Sequence, residues 1–329
     1  MNGLMGLKTV WKNEFGKTAR LKNKACIICL LSLMFFGARR SKCQDISATR
    51  FFNIDYQTMG SPNLLVPRQG GLVPAQAYEP NYVIKAELKF PIKLRGRTRI
   101  FGELQYKNEY VFGLYSPLDE EGVAPIKLHQ PGLSIIVSHQ FNEDLSLLGK
   151  FSLEKSSDRF WGADGSSFSF GNSLLLQKKR ANGKYGFGAS WGVDYLGGLS
   201  IMPLLLYQKK LPGNWELDLL IPSKLLAIKN LSNSSRLIMG VKGSTASYYL
   251  SGLAMDNLSG LNYRRLNANA IVGYEKLITP LVGIGVEAGA TIPLQSGIYR
   301  QGPRWQEVYN FGQKVAPYFN FKIFFTVPK

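Results

Sequence analysis

Three observations predict an all-β fold, built as a single antiparallel transmembrane β-barrel of about fourteen strands, with about twelve as the fallback count. Large apolar residues alternate with small or polar ones along most of the chain, and this is the period of a β-strand. Short turns alternate with longer connections, as they do in barrels that cross an outer membrane. Beyond the N-terminal region, no second apolar run approaches the ~20 residues that a membrane helix needs.

The N-terminus carries a predicted export signal. Residues 25–38 (ACIICLLSLMFFGA) form a 14-residue apolar run behind a lysine-rich segment. This run is too short to span a bilayer and has the length of a signal-peptide core. We expect cleavage after Ala38 or Cys43, which makes residues 1–43 an export leader and residues 44–329 one barrel domain. Because all three cysteines fall in the leader, a chain cut after Cys43 cannot form disulfides.

The hairpin at 167–195 shows the alternation most clearly. Its second arm reads KYGFGASWGVDY, and one face of that arm carries only large or apolar side chains: Tyr185, Phe187, Ala189, Trp191, Val193 and Tyr195. The opposite face carries glycine, serine and charged residues, and Asn182-Gly183 provides the positive φ angles that a tight turn needs. A membrane barrel places the apolar face in lipid and the polar face in the lumen. A soluble β-sandwich, with the polar face in water, is the alternative.

Similar segments recur along the rest of the chain. We predict strands at about 47–58, 80–91, 97–110, 131–141, 144–156, 166–180, 184–196, 199–210, 213–221, 223–231, 235–251, 260–276, 279–293 and 314–327. This even number places both termini and the short recurring turns at one end, as in bacterial barrels. The last segment alternates almost to the C-terminus, through Phe319, Phe321, Ile323, Phe325 and Val327. Such a strand is expected to be recognised by the barrel-insertion machinery.

The predicted inner face mixes charges of both signs. The full sequence has a net charge of +18, and residues 44–329 carry +10, because the leader holds nine of the 40 Lys/Arg and one of the 22 Asp/Glu. The predicted inward charges are Lys85, Lys89, Arg99, Lys150, Lys179, Lys184, Arg265 and Lys322 against Glu87, Glu103, Glu154, Asp194, Glu216, Asp218, Glu275 and Glu287. Mixed signs predict either ion pairs that brace the interior or a weakly selective pore. No basic run interleaved with stacking aromatics is present, so nucleic acid is not an expected partner.

Few residues could carry catalysis or bind a cofactor. Neither His129 nor His139 has a serine two residues away on the same strand face, so we expect no catalytic residues and no enzyme. Gly283 and Gly285 lie inside a predicted strand and lack the helix of a dinucleotide site, so we expect no cofactor. Their predicted role is to make the wall roomy or sharply curved.

Two predicted outer loops contain residues that could bind a ligand. Residues 119–121 (Asp-Glu-Glu) could hold Ca²⁺ or bridge to lipopolysaccharide through divalent cations. Asp158 and Asp164 bracket Trp161, whose ring could stack on a sugar. An ordinary solvated loop is the alternative in both cases, and it is the interpretation we favour. We therefore predict no metal site.

The export signal, the cysteine-free body, the KYGFGASWGVDY type of strand and the block from Gln130 to Ser157 resemble an uncharacterised family of Gram-negative outer-membrane β-barrels. The resemblance covers most of residues 45–329 and implies a barrel in the outer membrane, without implying an activity. A passive channel or small-solute uptake barrel is therefore the expected function, and a non-conducting structural or surface-binding barrel is the alternative. The expected partners are outer-membrane lipids, lipopolysaccharide, the insertion machinery and small solutes.

Overall fold

The computed structural model describes residues 50–59, 63–68, 71–76, 81–111, 126–161, 167–193, 199–251, 260–300, 306–310 and 314–326. Within these ranges the strands are β1 (Arg50–Met59), β2 (Asn63–Arg68), β3 (Gly71–Gln76), β4 (Asn81–Lys93), β5 (Thr98–Val111), β6 (Ile126–Gln140), β7 (Leu145–Lys155), β8 (Phe168–Arg180), β9 (Gly183–Val193), β10 (Leu199–Leu211), β11 (Trp215–Ile221), β12 (Lys224–Asn230), β13 (Ser235–Leu250), β14 (Leu261–Leu277), β15 (Val282–Arg300), β16 (Gln306–Asn310) and β17 (Ala316–Thr326). No helix in this part of the chain is long and apolar enough to cross a membrane.

Fourteen of these strands close into a single antiparallel ring. Each of β4 to β15 pairs with the next strand in sequence, and the ring closes through the pairs β15–β17, β17–β1 and β1–β4. The first and last strands pair from Arg50 opposite Thr326 to Met59 opposite Tyr318. The predicted barrel of fourteen strands is thereby confirmed, and each predicted strand overlaps an observed one. One closed sheet replaces the two packed sheets that a sandwich would require.

Three further strands lie in segments that the sequence predicted to be loops. β2 and β3 form a separate hairpin within the predicted connection 59–79. β16 pairs with the far end of β15, within the predicted connection 294–313. β15 itself runs to Arg300 instead of ending near Pro293, because β14 offers a pairing partner as far as Leu261. The pairing of β14 with β15 contains a β-bulge just after Pro293, and the alternation pattern in the sequence does not reveal it.

The two ends of the barrel differ. We call the end at which β1 begins and β17 ends the termini end, and the opposite end the loop end. At the termini end, consecutive strands of the ring are joined by turns of two to four residues, such as 141–144, 181–182 and 278–281. At the loop end most connections are longer, with one short exception at residues 222–223 between β11 and β12. These two strands have seven residues each, so the wall of the barrel is lowest there.

The outward face of the ring is apolar. Its exposed side chains come from strands all around the barrel and include Ile54, Ile84, Leu104, Ile135, Phe151, Phe170, Leu205, Leu225, Val272 and Phe321. In β9, Tyr185 and Phe187 are 41% and 64% exposed, as the predicted alternation requires. A belt of exposed apolar side chains around a closed sheet is what a barrel presents to lipid.

Several glycines of the ring allow a neighbouring strand or side chain to pack directly against the backbone. A Cβ added at Gly188 would lie 1.9 Å from the carbonyl oxygen of Leu174 in the neighbouring strand. One added at Gly283 would lie 2.3 Å from the ring of Phe324. The prediction that Gly283 makes the wall roomy is therefore wrong, because the space that its missing side chain leaves is filled by an aromatic ring.

Candidate functional site

The candidate functional site is the lumen, where charged side chains on neighbouring strands meet as ion pairs. Glu275 of β14 lies 2.5 Å from Arg50 of β1, 2.7 Å from Arg236 of β13 and 3.1 Å from Lys322 of β17. Lys322 also pairs with Glu287 of β15. This network joins five strands around the place where the first and last strands of the ring meet, and both carboxylates are buried.

A second group of ion pairs lines the lumen along β4 to β7. The buried carboxylate of Glu103 lies 2.6 Å from the Lys150 ammonium and 3.4 Å from that of Lys89. On the same wall, Glu154 accepts hydrogen bonds of 2.5 Å from the amides of Gln105 and Gln130. The side chains of Lys89 and Lys150 remain 37% and 38% exposed although they point into the barrel. Water therefore reaches this part of the inner wall.

A third group joins two opposite sides of the barrel. The carboxylate of Glu109, on β5, is fully buried and lies 2.8 Å from Arg265 of β14 and 3.3 Å from Lys107. The hydroxyl of Tyr248, on β13, donates to the same carboxylate at 3.2 Å. Strands β5 and β13 are six places apart around the ring. Their side chains meet directly, so the lumen is crossed by protein at this level.

The inner face is less polar than the sequence suggested. One buried apolar cluster draws on β1, β4, β12, β13, β14 and β17, and consists of Met59, Val83, Leu226, Ile228, Ile238, Ile271 and Tyr318. A smaller cluster on the other side of the ring contains Leu175, Leu204 and Leu206, with Leu148 and Leu220 packed against it. These apolar side chains are buried on the inner face of the strands that also carry the charged residues. The inner face that the sequence predicted to be polar and rich in glycine therefore also carries clusters of apolar side chains.

A folded-over sheet crosses the loop end. We call it the flap and define it as residues 246–250 of β13, 261–265 of β14 and 296–300 of β15. Its lower surface packs against β5 and β6 in one buried cluster: Val111, Ile126, Leu128, Ala246, Tyr248, Leu250, Leu261, Tyr263 and Ile298. β13 and β6 are seven places apart around the ring in either direction. The flap thus reaches from one side of the mouth to the other.

Backbone hydrogen bonds hold the flap in this position. The Tyr249 amide donates to the Ser156 carbonyl at 3.1 Å, and the Asp158 amide donates to the Tyr249 carbonyl at 3.3 Å. The Asp158 carboxylate also accepts from the Ser251 amide, at 3.0 and 3.1 Å. Pairing of β13 with β12 ends at Lys242, because β12 is short, and β13 continues beyond it. Backbone N–H and C=O groups without hydrogen-bond partners are costly to bury. Residues 156–158 provide partners for some of these groups along the part of β13 that extends beyond β12.

The structure separates the residues that the sequence singled out. His139 lies on the outward face, where its Nδ1 is 2.8 Å from the Thr98 hydroxyl. His129 also faces outward, and Trp161 is 83% exposed near it. The Asp158 carboxylate accepts a hydrogen bond from the Ser251 amide and so fastens the flap. Residues 119–121, Asp164 and Asp194 lie outside the described residues.

The flap is not evident from the alternation of residues in the sequence. The available signal was a mismatch of lengths, since the predicted strands at 213–221 and 223–231 are much shorter than the one at 235–251. A strand that outgrows its neighbour needs another partner for its backbone. Nothing in the alternation pattern identifies that partner, because the contact depends on segments far apart in the chain.

No family model and no curated protein matches the sequence, so the family resemblance stays a prediction. Several solved structures are similar at low identity. The COG4313 outer membrane channel from Pseudomonas putida F1 aligns at 11% identity over 88% of this chain and 100% of that chain, with a TM-score of 0.46. A mutant of the monoaromatic hydrocarbon channel TodX aligns at 10% over 84% and 90%, with a TM-score of 0.43. LpxR from Salmonella typhimurium aligns at 6% over 84% and 100%, with a TM-score of 0.34. All three scores are below 0.5, so the barrel assignment rests on the strand pairing of this chain.

Proposed function

We propose that the protein is an outer-membrane barrel that passes small solutes through a narrow lumen. Residues 1–43 act as the export leader, and residues 44–329 insert into the outer membrane with the help of the insertion machinery, which recognises the C-terminal strand. Outer-membrane lipids and lipopolysaccharide surround the apolar belt. The protein needs no cofactor or metal and catalyses no reaction.

One observation carries the channel function: the inner wall along β4 to β7 is wet. Lys89 and Lys150 point into the barrel and keep more than a third of their side-chain surface exposed. Side chains of both charge signs line this wall. This arrangement favours weak charge selectivity over a strict preference for cations or anions.

The flap controls access to this space. While residues 156–158 hold it against β5 and β6, the loop end of the lumen is covered. A solute therefore passes when the flap is released. A non-conducting barrel is the second candidate, and the contact of Glu109 with Tyr248 and Arg265 across the lumen favours it.

Single-channel recording in planar lipid bilayers separates the two candidates, with Asp158→Ala as the test variant. This change removes the carboxylate that accepts from the Ser251 amide. A charge-assisted hydrogen bond contributes about 1.5–3 kcal/mol, so we expect the open population to rise roughly tenfold to a hundredfold. Asn142→Ala is the matched control, because Asn142 caps the Leu145 amide at 2.8 Å in a turn at the termini end.

Discrete current steps that become longer or more frequent in Asp158→Ala, and not in Asn142→Ala, support a channel closed by the flap. Verified insertion with no current from any variant would overturn the channel and leave the non-conducting barrel. A stable soluble protein that never enters lipid would overturn the membrane location itself.

A further inference from the structure

A polar cluster interrupts the apolar outward face near the loop end. Tyr106 and Asn108 of β5 and His129 of β6 belong to the outward-facing set of their strands, whose other members include the exposed Leu104 and Leu133. Asn108 is paired directly opposite His129. Polar side chains on the lipid face are costly in the bilayer core, so this cluster marks the level at which lipid headgroups begin.

Hydrogen bonds and ring contacts fix the His129 imidazole. Its Nδ1 lies 2.8 Å from the Tyr106 hydroxyl and 2.9 Å from Nδ2 of Asn108. The amide nitrogen of Asn108 can only donate, so Nδ1 is the acceptor and the hydrogen of the neutral ring is on Nε2. The edge of Phe160 packs against the imidazole, with ring centroids 5.6 Å apart. His129 therefore presents a hydrogen-bond donor in a fixed direction.

Two lysines lie on the same outward face beside His129. Lys127 extends over the ring of Tyr110, with its ammonium 5.4 Å from the ring centroid. The Lys155 ammonium donates to the Phe160 carbonyl at 3.0 Å, which holds it next to the cluster. The neighbouring carboxylate of Asp158 is occupied by the Ser251 amide and the Ser157 hydroxyl. The site is thus cationic and rich in donors.

An aromatic surface stands next to these donors. Trp161 is 83% exposed and packs edge-on against Phe160, with ring centroids 4.7 Å apart. Tryptophan at the edge of a membrane-spanning region settles at the level of the headgroups, where its ring meets both apolar and polar groups. The combination of a donor, two ammonium groups and an exposed ring is suited to a headgroup that carries both phosphate and sugar.

We propose that this surface, formed by Lys127, His129, Lys155 and Trp161, binds the phosphorylated sugar headgroup of an outer-leaflet glycolipid. The inference rests on the membrane location in the proposed function and names the lipid that the barrel contacts at one place. Bacterial barrels keep both termini on the periplasmic side, so the loop end faces the leaflet that contains this glycolipid. The lysines and His129 Nε2 contact the phosphate, and Trp161 contacts the sugar.

Native mass spectrometry of the detergent-purified protein tests the site with three lipids: purified lipid A, the same lipid after enzymatic removal of its phosphates, and phosphatidylethanolamine. The test variant is Lys127→Ala/His129→Gln. The matched control is Lys178→Ala/Lys209→Ala, which removes two exposed, outward-facing lysines near the termini end. We expect the test variant to bind lipid A roughly tenfold or more weakly, and the control variant to bind as the unmodified protein does.

Equal binding of lipid A and its dephosphorylated form would overturn the proposal, and so would equal loss of binding in both variants. Fractionation of cell membranes tests the membrane location separately from the lipid-binding site. A protein that resides in the outer membrane but shows no preference for the phosphorylated lipid would contradict only the binding site. A protein that never enters a bilayer would contradict the proposed function itself, whichever lipid it binds in detergent.

Discussion

Replacing Glu109 by glutamine tests whether the charges across the lumen are needed for stability. The carboxylate is fully buried, and its partner Arg265 is only 4% exposed. Glutamine keeps the size of the side chain but leaves the guanidinium without its counter-charge. Removing one partner of a buried ion pair costs about 3–5 kcal/mol, which lowers the equilibrium constant for folding by roughly two to four orders of magnitude.

The assay is reversible unfolding of the barrel in lipid vesicles by urea, followed by tryptophan fluorescence. Glu87→Gln is the matched control, because Glu87 pairs with Lys85 at 2.5 Å while both side chains stay partly exposed. That change should cost about 1 kcal/mol or less. Adding Arg265→Met to Glu109→Gln should restore part of the lost stability. Equal costs for the two glutamine variants, or strictly additive costs for Glu109 and Arg265, would mean that the ion pair across the lumen does not stabilise the barrel.

Three further substitutions test residues in the wall of the barrel. Gly188→Ala should unfold at a clearly lower urea concentration than Gly171→Ala, because the new Cβ would lie 1.9 Å from the Leu174 carbonyl oxygen in the first case and 4.0 Å from its nearest neighbour in the second; equal midpoints would contradict this. Phe187→Arg should cost about 2–4 kcal/mol in vesicle unfolding, and a neutral effect would mean that the 64% exposed side chain does not face lipid. Lys150→Glu should move the reversal potential in a salt gradient toward cation selectivity, and an unchanged potential would mean that ions do not pass Lys150.

The strands could be predicted because the sequence of each strand alternates between apolar and polar residues. A strand that faces lipid on one side and the lumen on the other must alternate, as the sequence of β9 does from Tyr185 to Val193. Short turns mark where one strand ends and the next begins, as residues 181–182 do between β8 and β9, although neither Asn182 nor Gly183 adopts the positive φ angle that the sequence predicted. The number of strands then sets the position of both termini, so the barrel follows from local patterns alone.

The lumen could not be predicted in the same way. Alternation places Glu109 and Tyr248 on the inner face but does not show that they touch, since 139 positions separate them in the chain. Apolar residues on the inner face, such as Ile271 and Leu206, were hidden by the stronger polar signal around them. Asp158 sits in a segment with no periodicity, and its contact with Ser251 depends on how far β13 outgrows β12.

The pairing of β1 with β17 has a consequence for how the protein is made. Arg50 and Thr326 are among the first and last described residues, and they are partners. All fourteen strands of the ring must therefore be present before it can close, and contacts between residues so distant in sequence form slowly. Until then the edges of β1 and β17 are open to pairing with other chains. Among the ion pairs of Glu275, the one with Arg50 crosses this seam and forms only when the seam closes, so weakening that pair should speed unfolding more than it slows folding.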